Sequence, residues 1–362
     1  MNFKKSIFFL CYPQGEPDKA AYQHGIVCIA EGLKELGIKF YSNIDYWKIA
    51  TYNSEYLFSS DRSVNMEDCD VVVVNDDWVF YGGEIPENIF SGKILTVYID
   101  NSDGTITKCM DKKFKKFDVI LRSHYNCKFK YPENVHPWAF GLSNRIINIT
   151  SEYIPIQKRK NCILFNFRIK HRLRELVNKK FIPRLEEFLY TDRTSDKFDE
   201  NNFSPYDLLM FNQSGRRHYP NYFTRLSNSV ACSCFGGGFV SSIFKNPSTL
   251  PARIANKIVQ KLNIQTNCII QYDSWRFWES LVSGCVTFHV DFEKYGLLLP
   301  VMPKNWENYI GIDLSDINQS IKKIKEDPNI FNKISVNGRK WALENYSPRA
   351  QSLRFIDILN SR

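Results

Sequence analysis

The sequence predicts an α/β chain built as two Rossmann-like domains that face each other across a cleft. Three observations carry this expectation. Short apolar runs of strand length alternate with segments whose apolar residues recur at helical spacing, the pattern of a parallel, doubly wound sheet. The alternation occurs twice, on either side of a polar and basic stretch at 143–160. The length, 362 residues, suits two domains that each bury a core.

The first series opens with a strand over Ser6–Cys11. A helix over Lys19–Leu36 follows, with Ile26, Ile29, Ala30 and Leu33 on one face and Gly37 as its stop. A short strand at Lys39–Tyr41 precedes Val71–Val74, a β-branched run of the kind buried on both sheet faces. Lys93–Ile99 and Asp118–Leu121 repeat the theme. The second series predicts strands at Cys162–Phe167, Ser229–Phe235, Cys268–Gln271 and Cys285–Val290. Its helices are Arg172–Arg184, Tyr219–Ser227, Pro251–Leu262 and Trp275–Ser283. Residues 314–326, 328–345 and 348–360 read as closing helices, and polar 190–216 as an exposed loop or lid. The expected domains are 1–150, 151–345 and a final helix, 346–362, that packs back on the first domain.

Composition narrows the function classes. Apolar content of 43% and aromatic content of 15% fit a folded protein, not a disordered one. No apolar run is long enough to cross a bilayer. The opening, Met1-Asn2-Phe3-Lys4-Lys5 before Ser6–Cys11, imitates a signal peptide, but its apolar part is too short and Tyr12-Pro13-Gln14-Gly15 is a poor cleavage site. Ten scattered cysteines without a CxxC pair read as free thiols in a reducing cytosol. A net charge of +9 is compatible with nucleic acid, an anionic membrane surface or a phosphate-bearing substrate.

The chemistry concentrates in residues 272–290. Asp273 or Ser274 caps a short helix, Gly284 ends it, and Cys285–Val290 is a buried strand. The free N–H groups at Ser274 to Phe277 make an anion site of phosphate size, and Arg276 adds a fork of donors. Glu279, three residues after Arg276, shares its face, one turn from the phosphate site and placed for ribose hydroxyls. Spacing alone leaves open a capped amphipathic helix with an Arg276–Glu279 surface pair. Upstream, Gly236-Gly237-Gly238 ends a strand and lets backbone N–H groups approach a diphosphate or sugar, or is a simple turn. Arg168 and Lys170 follow the first strand of the second domain. Asp100 and Asp103 follow a first-domain strand, either as base for an acceptor hydroxyl or as an Asx turn. Asn75-Asp76-Asp77 has the same ambiguity, and His24 is a weaker candidate. Asp68-Cys69-Asp70 has the letters of a metal-binding Asp-x-Asp, but it precedes its strand and reads as an entry turn.

Asp273, Ser274, Arg276, Phe277, Glu279, Leu281, Gly284, Cys285 and Val286 together resemble the nucleotide-sugar segment of exostosin-like and related GT-B glycosyltransferases. Ser280 stands where that pattern has Ala. Tyr219 to Gly238 is similar to the passage that precedes it in those enzymes, though a usual Pro is absent. The resemblance implies a GT-B fold and transfer of a sugar from a nucleotide-sugar donor to a hydroxyl of a glycan or surface polysaccharide. It implies that Arg168 and Lys170 neutralise the leaving diphosphate in place of a metal ion, with Gly237, Ser274, Arg276 and Glu279 also on the donor. Asp100 or Asp103 would be the base. No cofactor beyond the donor is expected. The predicted setting is cytoplasmic, with peripheral contact to an anionic membrane face. Transfer to modified DNA bases and a non-catalytic binding protein on the same fold remain the rival readings.

Overall fold

The computed structural model describes residues 3–103, 108–169, 172–199 and 201–362. Along the first half run β1 (Ile7–Leu10), β2 (Phe40–Ser42), β3 (Tyr46–Lys48), β4 (Tyr56–Phe58), β5 (Val71–Asn75), β6 (Leu95–Asp100), β7 (Val119–Arg122) and β8 (Val135–Pro137). All but β3 and β4 join one parallel sheet in the order β2-β1-β5-β6-β7-β8. The second half holds β9 (Lys160–Leu164), β10 (Tyr190–Asp192), β11 (Ser229–Ser233), β12 (Gly238–Phe239), β13 (Ile269–Ile270), β14 (Val286–Val290) and β15 (Ile310–Ile312). Five of these form a second parallel sheet, β10-β9-β11-β14-β15. The central strands are buried on both faces, and β5 is a near-continuous apolar run for that reason. In β14 the polar Thr287 and His289 alternate with apolar residues and are satisfied by the Ser280 hydroxyl and the Tyr272 carbonyl. Two antiparallel pairs, β3–β4 and β12–β13, stand outside the sheets.

The chain leaves the first core near Trp138 and joins the second at Ala139 and Leu142. It returns at its end. Phe355, Ile356 and Leu359 of the helix Pro348–Asn360 lie in the first core with Ile26 and Ile29. The Ser352 hydroxyl donates to the Ile29 carbonyl at 2.6 Å. Gly32 makes this approach possible: a Cβ there would sit 2.0 Å from the Pro348 carbonyl oxygen.

Three elements differ from expectation for identifiable reasons. The first helix runs only over His24–Glu35. The residues before it are held by side chains: Gln23 exchanges hydrogen bonds with the Tyr12 backbone, and the Gln23 amide donates to the Tyr46 hydroxyl. Arg172–Arg184 is two helices, Arg172–Lys180 and Ile182–Leu185, because Pro183 is tolerated only in a first turn. The supposed loop 190–216 contains β10 and a helix, Pro205–Gln213, opened by a capping box in which the Ser204 and Asp207 side chains each take the other's backbone N–H. Asp68 and Asp70 occupy the amino end of β5, capping a turn and binding Ser6. Among the described residues, no helix is long and apolar enough to cross a membrane. The ten cysteines are free, and only Cys127 is exposed.

Candidate functional site

Residues that follow β6, β9, β10 and β11 meet the amino end of the helix Trp275–Val282 around one cavity of about 740 Å³. Asp103 comes from the first sheet. Asn166, Phe167 and Arg168 follow β9, Ser195 and Asp196 follow β10, and Cys234 and Phe235 follow β11. The cavity therefore lies outside the carboxyl ends of both sheets, where open α/β sheets bind ligands.

Four predicted residues of the second half, Arg168, Ser274, Arg276 and Glu279, line this cavity. Ser274 is the N-cap of the helix in extended conformation, and its side chain makes no capping bond. Phe277 N–H bonds the Ser274 carbonyl at 3.0 Å, so the amides free of the helix ladder are those of Trp275 and Arg276, a narrower anion cradle than Ser274 to Phe277. Asp273 is not a cap. It is buried, accepting from the Phe140 amide at 2.7 Å and from Trp278 Nε1 at 2.7 Å, and so ties the helix to the chain that links the two cores.

Arg276 donates to Asn166 Oδ1 at 2.6 Å and lies over the Phe167 and Tyr222 rings. Asn166 in turn donates to Asp196, which Arg225 holds at 2.8 Å. This relay fixes the Arg276 fork at the end of β9. Glu279 is one turn further in, 6% exposed, with no geometrically sound hydrogen bond to its carboxylate among the described residues. Burial pushes its carboxyl above the usual range, opposed by the Arg145 and Arg276 guanidiniums and the neighbouring Tyr222 hydroxyl. A buried carboxylate at a cavity has more acceptor sites than the Tyr222 hydroxyl can fill, and the rest are open to a ligand.

Two further arginines were missed by the sequence reading. Arg174 donates to the Phe235 carbonyl at 2.8 Å, and Arg217 lies over the Trp275 ring at 5.2 Å. Both line the cavity with Arg168 and Arg276. The Arg174 guanidinium is pushed down to about 10, first by burial and then by repulsion from Arg276 and Arg168. Like charges gathered in this way are relieved by an anion between them. A sequence signal existed for Arg174: it lies two positions from Arg172 in a helix that starts right after the basic turn.

Asp103 reaches the same cavity from the first sheet. Its Oδ1 is 3.0 Å from His124 Nε2, and His124 Nδ1 accepts from the Asp273 amide at 3.1 Å. With Nδ1 accepting, Nε2 is the ring nitrogen that donates to Asp103. His124 has a φ of 52°, a strained value for a non-glycine residue, and sits just beyond β7. Asp77, past the end of β5, has its carboxyl pushed up to about 7 by burial and by Asp76, against the pull of Arg217.

Other predicted residues lie elsewhere. Asp100 is fully buried. It binds Arg122 at 2.9 Å and accepts from Ser102 and from the Cys109 amide. Burial alone would raise its carboxyl, but Arg122 and these donors outweigh burial and hold it below the usual range. It is a structural ion pair, not a base in the cavity. Asp100→Ala is expected to cost about 3–5 kcal/mol, because Arg122 keeps a buried charge without its partner. Urea unfolding measures this, and an unchanged midpoint with lost activity would return Asp100 to the chemistry. Gly237 has a φ of +82°, and a Cβ on it would lie 1.9 Å from the Ile270 carbonyl oxygen. It is a packing glycine beside the β12–β13 pair; Cys234 and Phe235 line the cavity instead. Lys170 lies outside the described residues. His24 is buried against Tyr22 and the Gly141 carbonyl, its ring pushed down to about 3 by burial and by Arg145, so it is a neutral structural residue. Trp138 is core.

Solved structures share this architecture from end to end. An α-glucosyltransferase in complex with UDP-glucose and abasic DNA superposes with a TM-score of 0.51 at 12% identity, over 98% of both chains. The fold is GT-B. AviGT4, a glycosyltransferase involved in avilamycin A biosynthesis, matches with a TM-score of 0.53 at 11% identity, over 99% of this chain and 97% of its own. An α-glucosyltransferase in complex with UDP and a 13-mer DNA gives 0.52 at 10% identity, over 99% and 100%. No protein-family model matches the sequence, and no curated protein does. At these identities the likeness concerns the fold. The GT-B frame puts the cavity between its two halves.

Proposed function

We propose that the protein transfers a sugar from a nucleotide-sugar donor to an acceptor hydroxyl. The observation that carries this reading is the convergence of Arg168, Arg174, Arg217 and Arg276 on one cavity with the free amides of Trp275 and Arg276 and the Glu279 carboxylate one turn away. The cations and amides match a diphosphate, and the carboxylate matches the ribose hydroxyls beyond it. The guanidiniums stabilise the charge that develops on the departing diphosphate, work that a metal ion does in other transferases. In an inverting reaction Asp103, oriented by His124, takes the acceptor proton. The wording of 273–286 supports kinship with exostosin-like enzymes and a glycan acceptor. Structural neighbours that hold UDP or UDP-glucose support a uridine donor. The DNA in two of them, with the +9 charge, keeps modified DNA bases as the second acceptor class.

The test is thermal stabilisation against UDP, GDP, CMP, dTDP and their sugars, with Mg²⁺ and with chelator. A UDP-sugar is expected to raise the midpoint, and chelator to leave the rise intact. Absence of a shift with every nucleotide would remove this reading.

A further inference from the structure

Between Phe235 and Ser274, both on the cavity, the chain makes an excursion through β12, the helix Leu250–Lys261 and β13. The helix is seated by Ala252, Asn256 and Val259, which are buried; Asn256 Oδ1 accepts from the Ser241 amide at 2.9 Å. That seating turns Leu250, Ile254, Ile258 and Leu262 outward, at 68, 52, 49 and 64% exposure. Their i, i+4 spacing makes one continuous apolar stripe. With Ile243 and Ile264 they account for six of the twelve large apolar residues that are exposed among the described residues, so the stripe is a concentrated patch, not scattered apolar surface.

The polar flank has one sign. Arg253, Lys257 and Lys261, again at i, i+4 spacing, run alongside the stripe, and no ion pair holds them among the described residues. The sequence contains no Asp or Glu between Asp207 and Asp273.

We propose that this helix docks on an anionic lipid surface, the isoleucines and leucines entering the headgroup boundary and the basic flank meeting lipid phosphates. A helix with an exposed apolar stripe beside Lys and Arg lies in such an interface. Each cation near an anionic leaflet strengthens binding, and salt weakens it. Nucleic acid would match the charge and leave the stripe uncovered; a second copy of the chain would cover the stripe and oppose like charges. Docking holds the cavity at the lipid surface, because the helix is joined to two of its walls. The inference rests on this surface and not on the sugar-transfer reading.

The test is co-sedimentation of the full chain with vesicles of phosphatidylcholine alone and of phosphatidylcholine mixed with phosphatidylglycerol. Binding to the mixed vesicles, decreasing with salt, is expected. Ile254→Glu with Ile258→Glu is expected to weaken it at least about tenfold, since apolar burial drives insertion. Arg253→Gln with Lys257→Gln is expected to weaken it and flatten its salt dependence. All four positions are exposed and away from the cavity, so circular dichroism and the unfolding midpoint should match the parent. Sedimentation with neither vesicle would overturn the proposal. So would binding indifferent to the isoleucine pair, retention on duplex DNA in place of vesicles, or a dimer in solution that the isoleucine pair dissociates.

Discussion

Replacing Glu279 with Ala is expected to weaken donor binding by about 30- to 1,000-fold, the loss of roughly 2–4 kcal/mol from hydrogen bonds between ribose hydroxyls and a buried carboxylate. The carboxylate lines the cavity with the Tyr222 hydroxyl beside it, and its remaining lone pairs are open to hydroxyl donors of a ligand. Glu279→Gln keeps the shape and one acceptor and should lose less. Calorimetric titration with UDP measures both, and an unchanged affinity in Glu279→Ala would remove Glu279 from the donor site. A pH dependence follows from the same burial. Because the carboxyl is held above its usual range, it takes up a proton while exposed carboxylates are still ionised. Protonation removes acceptor capacity. Nucleotide affinity should therefore fall as pH drops toward the carboxylate range, beginning at a higher pH than an exposed Glu would give, and Glu279→Gln should lack that limb.

Arg276→Ala is expected to lower kcat/KM by about 10²–10³, the loss seen when one preorganised donor to a developing anion is removed. The fork is placed by Asn166 at 2.6 Å and sandwiched by Phe167 and Tyr222, so the site spends no effort orienting it during reaction. Arg276→Lys should recover little, because an ammonium lacks the planar, two-pronged fit to a phosphate. Asn166→Ala, which leaves the guanidinium in place but unguided, should give an intermediate loss with a larger effect on kcat than on nucleotide affinity. Steady-state kinetics on all three variants decides this. Full activity in Arg276→Ala would transfer the leaving-group role to Arg174 and Arg168.

The Ser274–Glu279 turn was legible because its determinants are local. An Arg and a Glu at fixed helical spacing and Gly284 with a φ of +77° at the stop are set within a few residues, although the side-chain capping bond expected at Ser274 is not made. The strands were legible for the same reason, since Val71–Val74 is buried on both sides and shows it in its composition. Asp100 and Asp103 carried equal weight in sequence. What separates them is that Asp100 is the cross-strand neighbour of Arg122, a pairing between β6 and β7 that no local pattern displays. Gly237 was misread because the backbone that demands a glycine there comes from Ile270 and Gln271. Arg217 was invisible because its place depends on stacking against Trp275 from a distant helix.

The sequence by itself determined the strand and helix alternation, the two-sheet class and the short helix that stops at Gly284, because backbone preference and burial pattern act over spans of a few residues. Only the tertiary structure decided which of the charged residues share a cavity and which are sealed in ion pairs. That outcome depends on the register between strands and on the seating of helices, and it sets the distance and the dielectric between charges that lie far apart in the chain.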